Sequence, residues 1–176
     1  MNELRKEFED TALQHMDAIY GAALRMTKNK TEAEDLVQDT YLRAYRFFDR
    51  FEHGTSMKAW LFKILRNIAI NKFRKQATVP GHIDLDGIRS SGQEPVSLND
   101  PEEECLHRSL YDEFVCAVDA MPEAFRDVIL LWGVQGFSYK EIADIVGCPL
   151  GTVMSRLCRA RKLLRISLCE YVRELG

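Results

Sequence analysis

No stretch of this 176-residue chain is both long and apolar enough to span a bilayer. The most apolar segment, Ala59 to Phe73, is interrupted by Lys63, Arg66 and Lys72. No basic N-terminal segment leads into an apolar run and a cleavage site, so no export signal is read and a cytoplasmic location without membrane insertion is expected. The five cysteines are odd in number and lack CxxC spacing, so neither a disulfide framework nor a zinc knuckle is indicated. Cys105, His107 and Cys116 are too scattered to indicate a metal, so incidental or buried thiols are expected, with no metal and no cofactor. Nucleophile elbow, Walker loop and metal-ligand spacing are all missing, so no catalytic residue and no enzyme activity are expected. Strand-like alternation, internal repeats and low-complexity tracts are also absent, which leaves an all-α fold.

What is present is an uneven distribution of charge. The net charge of −3 does not suggest nucleic acid, yet acids cluster at 32–39 and 100–104 and bases at 58–75 and 156–165. Such asymmetry implies two kinds of partner.

The most informative stretch runs from Phe137 to Leu164. Ser138 and Glu141 have the spacing of a capping box. Ile142 and Val146 then share a face with small Ala143, Gly147 suits a left-handed helix end, and Pro149 suits the first turn of a second helix. On that second helix Val153, Leu157, Ala160 and Leu164 form an apolar stripe. Ser155, Cys158, Arg159 and Lys162 point the other way, with Thr152 and Arg156 on the flanks. Between Gly151 and Arg165 lie five basic residues and no acid. A solvated basic face is the plain reading of such a helix. Cap, glycine turn and apolar slots together favour a helix-turn-helix whose second helix enters the DNA major groove.

Upstream, Phe8, Ala12, Met16, Ile19, Ala23 and Met26 recur at helical steps and predict one first helix. Thr31 with Glu34 has the spacing of a second capping box. The helix it opens carries Ala33, Leu36, Val37, Thr40, Tyr41, Ala44, Phe47, Phe48 and Phe51 inward, and Glu32, Asp35, Gln38, Asp39 and Arg43 outward. That acidic face is either merely solvated or a protein-docking surface. After a loop at His53 to Ser56, a helix from about Met57 to Lys75 mixes Trp60, Leu61, Phe62, Ile64, Leu65, Ile68, Ile70 and Phe73 with six bases and no acid. Rings and cations interleaved in this way suit single-stranded nucleic acid. A buried helix whose long basic side chains reach out to solvent explains the pattern equally well.

Periodicity vanishes between about Thr78 and Asn99, where Pro, Gly and Ser predict a flexible linker. The expected organisation is therefore two small helical domains, 1–77 and 100–176, joined by a linker at 78–99. The second domain opens with Asp100 as cap and Pro101 in the first turn, continues with Leu106, Leu110, Phe114, Ala117 and Val118 as a core face, and has a further helix from Pro122 to Trp132 before the helix-turn-helix.

Two all-helical modules in this order resemble a bacterial sigma factor of the extracytoplasmic-function group. The resemblance is carried by AEDLVQDTYLRAYRFFDRF (33–51), GTSMKAWLFKILRNIAINKFRK (54–75) and MPEAFRDVILLWGVQGFSYKEIADIVGCPLGTVMSRLCRARKLL (121–164). It implies a transcription initiation factor that binds RNA polymerase core, at the clamp helices of the largest catalytic subunit and the flap, and directs it to promoter DNA. By resemblance Asp35, Gln38, Asp39 and Arg43 lie at the polymerase interface. The helix after the loop resembles the part that reads and opens the minus-ten element, with Trp60, Ile64, Asn67 and Asn71 near unstacked bases and Lys58, Arg66 and Arg74 near phosphates. The helix from Pro149 resembles the reader of the minus-thirty-five element. There Thr152, Ser155, Arg156, Cys158 and Arg159 lie near base edges or their phosphates, and Lys162 lies on the backbone.

Arg156 occupies a slot that repressors usually keep apolar while Leu157 points inward, as in the sigma group. Cys158 stands where related chains carry larger polar or aromatic residues. Housekeeping members carry extra domains that this chain lacks, so a specialised promoter set is expected. An anti-sigma factor is the further partner that the resemblance implies, and GTSMKAWLFKILRN is nearest the branch held by zinc-containing, redox-responsive ones. The rivals are a stand-alone helix-turn-helix regulator, with residues 1–76 as a dimerisation or sensor module, and a sequestering interaction module. A repressor has no use for the aromatic-basic helix, and an interaction module has none for an acid-free recognition helix.

Overall fold

The computed structural model describes residues 2–78 and 112–174. Among them every regular element is helical, and they belong to two compact units. The first unit comprises α1 (Asn2–Ala12), a 3₁₀ turn (Leu13–His15), α2 (Met16–Thr27), α3 (Lys30–Arg46), a second 3₁₀ turn (Phe48–Arg50) and α4 (Met57–Thr78). The second comprises α5 (112–119), α6 (Glu123–Gly133), α7 (Tyr139–Val146) and α8 (Leu150–Glu174).

The expected single first helix is two. A 3₁₀ turn winds faster than an α-helix, so Leu13–His15 shifts the phase of everything that follows. Phe8 and Ala12 remain buried, but Met16 turns outward at 41% exposure while Ile19, Ala22 and Ala23 take the inward positions. At the break the Tyr41 hydroxyl donates to the Ala12 carbonyl at 3.1 Å. This bond serves a carbonyl at a helix end, where in-helix partners run out.

The cap of α3 is Asn29, and the expected Thr31–Glu34 box does not form. Lys28 ends α2 in the left-handed region at φ 53°, and its N–H donates to the Leu24 carbonyl at 2.8 Å. That turn leaves Asn29 extended, where its side chain accepts from the Glu32 N–H at 3.1 Å. Thr31 consequently lies inside the first turn. The helix also stops at Arg46, so Phe47 and Phe48 belong to the exit, with Phe48 buried against Phe8 in an edge-to-face contact at 5.2 Å.

In α4 the core side is the stripe Met57, Leu61, Phe62, Leu65, Ile68 and Ala69, all buried. Trp60, Ile64 and Ile70 are half-buried, and Phe73 is exposed. Thr40 of α3 is fully buried and closes its own polar balance by donating to the Leu36 carbonyl at 2.7 Å. The first unit is thus a bundle with α4 packed against α2 and α3.

In the second unit Ala117, Val118 and Met121 join Val128, Ile129 and Leu131 in the core beneath α8. On α7 the buried pair is Ile142 and Ile145, whereas Val146, expected as the second core position, is half-buried at the helix end. Asp100, Pro101, Cys105, Leu106, His107 and Leu110, and the segment 79–99, lie outside the described residues. No helix among those described is long and apolar enough to cross a membrane.

Candidate nucleic-acid interface

The helix-turn-helix is built from local interactions. The Ser138 N–H donates to Glu141 Oε2 at 2.9 Å, and the Glu141 N–H donates to Ser138 Oγ at 3.3 Å, closing the expected box. Gly147 adopts φ 70°, a region that a β-carbon disfavours, and its N–H donates to the Ala143 carbonyl at 2.9 Å. The second helix begins one residue later than expected, at Leu150. Pro149 is its cap, and the Pro149 carbonyl accepts from the N–H groups of Thr152 and Val153 at 2.9 and 3.2 Å.

This start fixes the rotation of α8. Val153, Leu157 and Ala160 are buried, and Leu164 is half-buried. Ser155, Cys158, Arg159 and Lys162 are exposed on the opposite side, with Thr152 and Arg156 half-buried at its margins. Ser155 Oγ donates to the Thr152 carbonyl at 3.0 Å, and Arg156 Nη1 lies 4.0 Å from Cys148 Sγ, leaning toward the turn. Arg161 is diverted altogether: its guanidinium covers the Trp132 ring at 4.1 Å and donates to the Tyr139 hydroxyl at 3.0 Å. The ring of α6, a hydroxyl of α7 and a cation of α8 therefore form one strut. No periodicity announces that contact; an aromatic residue ending α6 in the same unit as an off-stripe arginine is its sole trace.

On α4, Trp60, Ile64, Asn67, Asn71 and Arg74 recur at helical spacing and share one face beside the buried stripe. At its N-terminal end Trp60 lies 5.3 Å from Phe51, which stacks on Phe48 and meets His53 edge-on at 5.8 Å. At its C-terminal end a recess of about 400 Å³ is lined by Ile64, Asn67, Ile70, Asn71 and Arg74, together with Arg43 of α3. Lys58 and Arg66 fall on other faces of α4. Lys58 lies near His15, whose imidazole is pushed below its ordinary pKa by burial and then by that cation.

On α3, Asp35, Gln38, Asp39 and Arg43 are all exposed. Asp39 Oδ2 pairs with Lys72 Nζ of α4 at 3.2 Å. Gln38 lines a different depression, a groove of about 740 Å³ that also includes Leu13, Met16, Tyr41, Leu42 and Tyr45. Leu13, Leu42 and Tyr45 are exposed apolar residues that lie outside the sites expected from the sequence. Leu42 carries a sequence signal, an aliphatic residue off the inward stripe of an amphipathic helix. Among the described residues no group of His, Cys, Asp or Glu side chains is gathered in a way that would hold a metal ion.

Two family models match this architecture: Sigma-70 region 2 over residues 12–79 and Sigma-70 region 4 over residues 111–164. The chain is 34% identical over 169 residues to the ECF RNA polymerase sigma factor EcfG of Rhodopseudomonas palustris, covering 96% of this chain and 88% of that one. It is 34% identical over 137 residues to the ECF RNA polymerase sigma-E factor of Escherichia coli K12, covering 76% and 72%. A solved sigma factor, RpoE of Bartonella quintana in complex with the anti-sigma factor NepR, superposes with a TM-score of 0.72 at 34% identity, over 93% of this chain and 97% of that one. An acidic helix beside a ring-and-amide helix in one unit, and a basic-fronted helix-turn-helix in the other, accord with those matches: the chain belongs to the ECF RNA polymerase sigma factors, the initiation factors that direct RNA polymerase to promoters.

Proposed function

We propose a division of labour among the three surfaces. The exposed acidic face of α3, with Asp35, Gln38 and Asp39, docks on the polymerase clamp helices, while Arg43 at its far end turns toward α4. The neighbouring exposed apolar residues Leu13, Met16, Leu42 and Tyr45 support that docking, because an acidic strip edged by apolar side chains suits a cationic, amphipathic helical partner. The α4 face from Trp60 to Arg74 holds the opened minus-ten strand, with Lys58 and Arg66 contributing charge from the sides. The front of α8, with Ser155, Cys158, Arg159 and Lys162 exposed and Thr152 and Arg156 at its margins, reads the minus-thirty-five element. Residues 1–77 and 100–176 act as the two modules, joined by 78–99, and the protein works by binding energy alone in the cytoplasm.

The observation that carries this reading is the single face of α4 on which a half-buried tryptophan, two amides and an arginine succeed one another. Stacking surface and hydrogen-bonding edges along one line suit unstacked bases, and a double-strand repressor needs neither. Run-off transcription with purified polymerase core on pooled genomic fragments tests it. Starts downstream of a shared pair of elements are expected, and no gain in specific initiation together with no core association would refute it.

An anti-sigma factor is the second protein partner. The support is the likeness to RpoE of Bartonella quintana, which is held by one, and a link to stress-responsive transcription accords with the family. Within the family, GTSMKAWLFKILRN supports the branch controlled by zinc-containing, redox-responsive antagonists. An antagonist captured from the native cell that retained its grip after zinc chelation and oxidation would remove that finer assignment.

A further inference from the structure

The four exposed residues on α3 do not face one way. Gln38 lines the groove shared with α1 and α2, while Arg43 lines the recess on the α4 side. Asp39 lies between them and is already paired with Lys72 of α4 at 3.2 Å, so α3 runs against α4 at this level. One turn further along, Arg43 meets the same helix.

The recess has a definite chemistry. Its lining contains two arginines and no acid, so it attracts an anion. Asn67 and Asn71 add amides that donate and accept, and Ile64 and Ile70 supply apolar surface. A volume of about 400 Å³ lies within the range of sites for small ligands. An acidic peptide would use the guanidinium groups but has no need of paired amides over aliphatic side chains. A nucleotide uses all three, through its phosphate, its base edge and its base face. The recess also continues the α4 face that begins at Trp60.

We infer that Arg43 is a DNA residue rather than a polymerase residue: with Arg74 it clamps one phosphate of the opened strand, so that the adjoining base rests on Ile64 and Ile70 within reach of Asn67 and Asn71. This rests on α4 holding the minus-ten strand and adds a contact from a second helix. Arg43 is thereby a positioning residue for strand capture, and α3 serves both partners from opposite edges.

The test uses full-length Arg43→Ala and Arg43→Lys in holoenzyme assembled with polymerase core. Two quantities are measured: affinity for core, and anisotropy of a fluorescein-labelled single strand of mixed sequence bound by saturated holoenzyme across a salt series. Arg43 is exposed, so both variants should keep the parent's thermal midpoint. For Arg43→Ala, unchanged core affinity is expected, with about five- to tenfold weaker strand binding. The slope of log affinity against log salt should shrink by about 0.7, the value for one phosphate contact on a single strand. Arg43→Lys should recover the slope and only part of the affinity, because an ammonium keeps the charge and loses the fork. Weaker core binding with unchanged strand binding would overturn the inference and return Arg43 to the polymerase interface, and no change in either quantity would overturn it as well. If wild-type holoenzyme held the strand no better than core alone, the strand-holding role of α4 would fall, and Arg43 with it.

Discussion

Leu157 is the side chain on which the seating of α8 depends most directly. It is 2% exposed, between Val153 and Ala160, both fully buried. Leu157→Ala removes three carbons from a packed site, worth about 2.4 kcal/mol at about 0.8 kcal/mol per buried methylene. The residual cavity raises the cost to about 3–4 kcal/mol. A small helical unit supplies only about 3–5 kcal/mol from its core, so the substitution should consume most of that stability. The two tryptophans allow the effect to be localised, because Trp60 belongs to the first unit and Trp132 to the second. In a Trp60→Phe background, urea unfolding followed by tryptophan fluorescence reports the second unit alone, through a ring that lies under the Arg161 guanidinium. The midpoint should fall sharply in Leu157→Ala, whereas Cys158→Ala, one position on and exposed, should stay within about 0.5 kcal/mol of the parent. A loss below about 1 kcal/mol for Leu157→Ala would refute the packing argument for how α8 is held.

Arg159→Ala should weaken discrimination in the upstream element by about 1–3 kcal/mol, read by run-off on promoters carrying single-base changes; unaltered promoter choice would remove Arg159 from the reading set. Asp39→Asn should weaken core association in a pull-down while leaving the fold intact. Lys72→Gln breaks the same ion pair and should not weaken association, and equal loss in both variants would assign the effect to the pair instead of to docking. Stability of the first unit should fall at both ends of the pH range. His15 has a lowered pKa, so its unfavourable protonation is felt as pH drops from 6.5 through the folded value, and His15→Gln should flatten that slope. Tyr41 is pushed up to about 12 by burial and then by Asp17, so its contribution is complete below pH 10 and is lost as pH rises toward 12. Tyr41→Phe should flatten the alkaline slope, and a slope left unchanged would place its origin elsewhere.

The features legible in the sequence are those set by neighbours in the chain. Ser138, Glu141 and Gly147 are a few residues apart, and the bonds they form are the ones their spacing implies. The inward stripe of α8 follows from its period alone. Expectations failed where a turn resets the phase: Leu13–His15 rotates Met16 outward, and the left-handed Lys28 hands the cap to Asn29. Periodicity also gives a face and never its partner. Arg161 counts in the sequence as one more base on the recognition helix, and only the packing of α6 against α8 shows that Trp132 holds it. Arg43 is alike in this respect, since its place on α3 is readable but its neighbours on α4 are not.

The diversion of Arg161 bears on how promoters are selected. With Arg161 on Trp132 and Arg156 leaning toward Cys148, Arg159 and Lys162 on the front of α8 and Arg165 at its edge are the exposed long cations that have no hydrogen bond or ion pair to any described residue. One bidentate base contact discriminates by about 1–3 kcal/mol, roughly 5- to 150-fold. A genome offers on the order of a million or more competing sites, so such a helix cannot choose promoters unaided. Under the proposed division of labour, the missing discrimination comes from a second element read at the same time. Joining both units to one polymerase makes the second reading intramolecular, with a gain of about 10²- to 10⁴-fold. Weak reading by each unit is then what makes promoter choice conditional on polymerase, because a tighter recognition helix would occupy DNA without it.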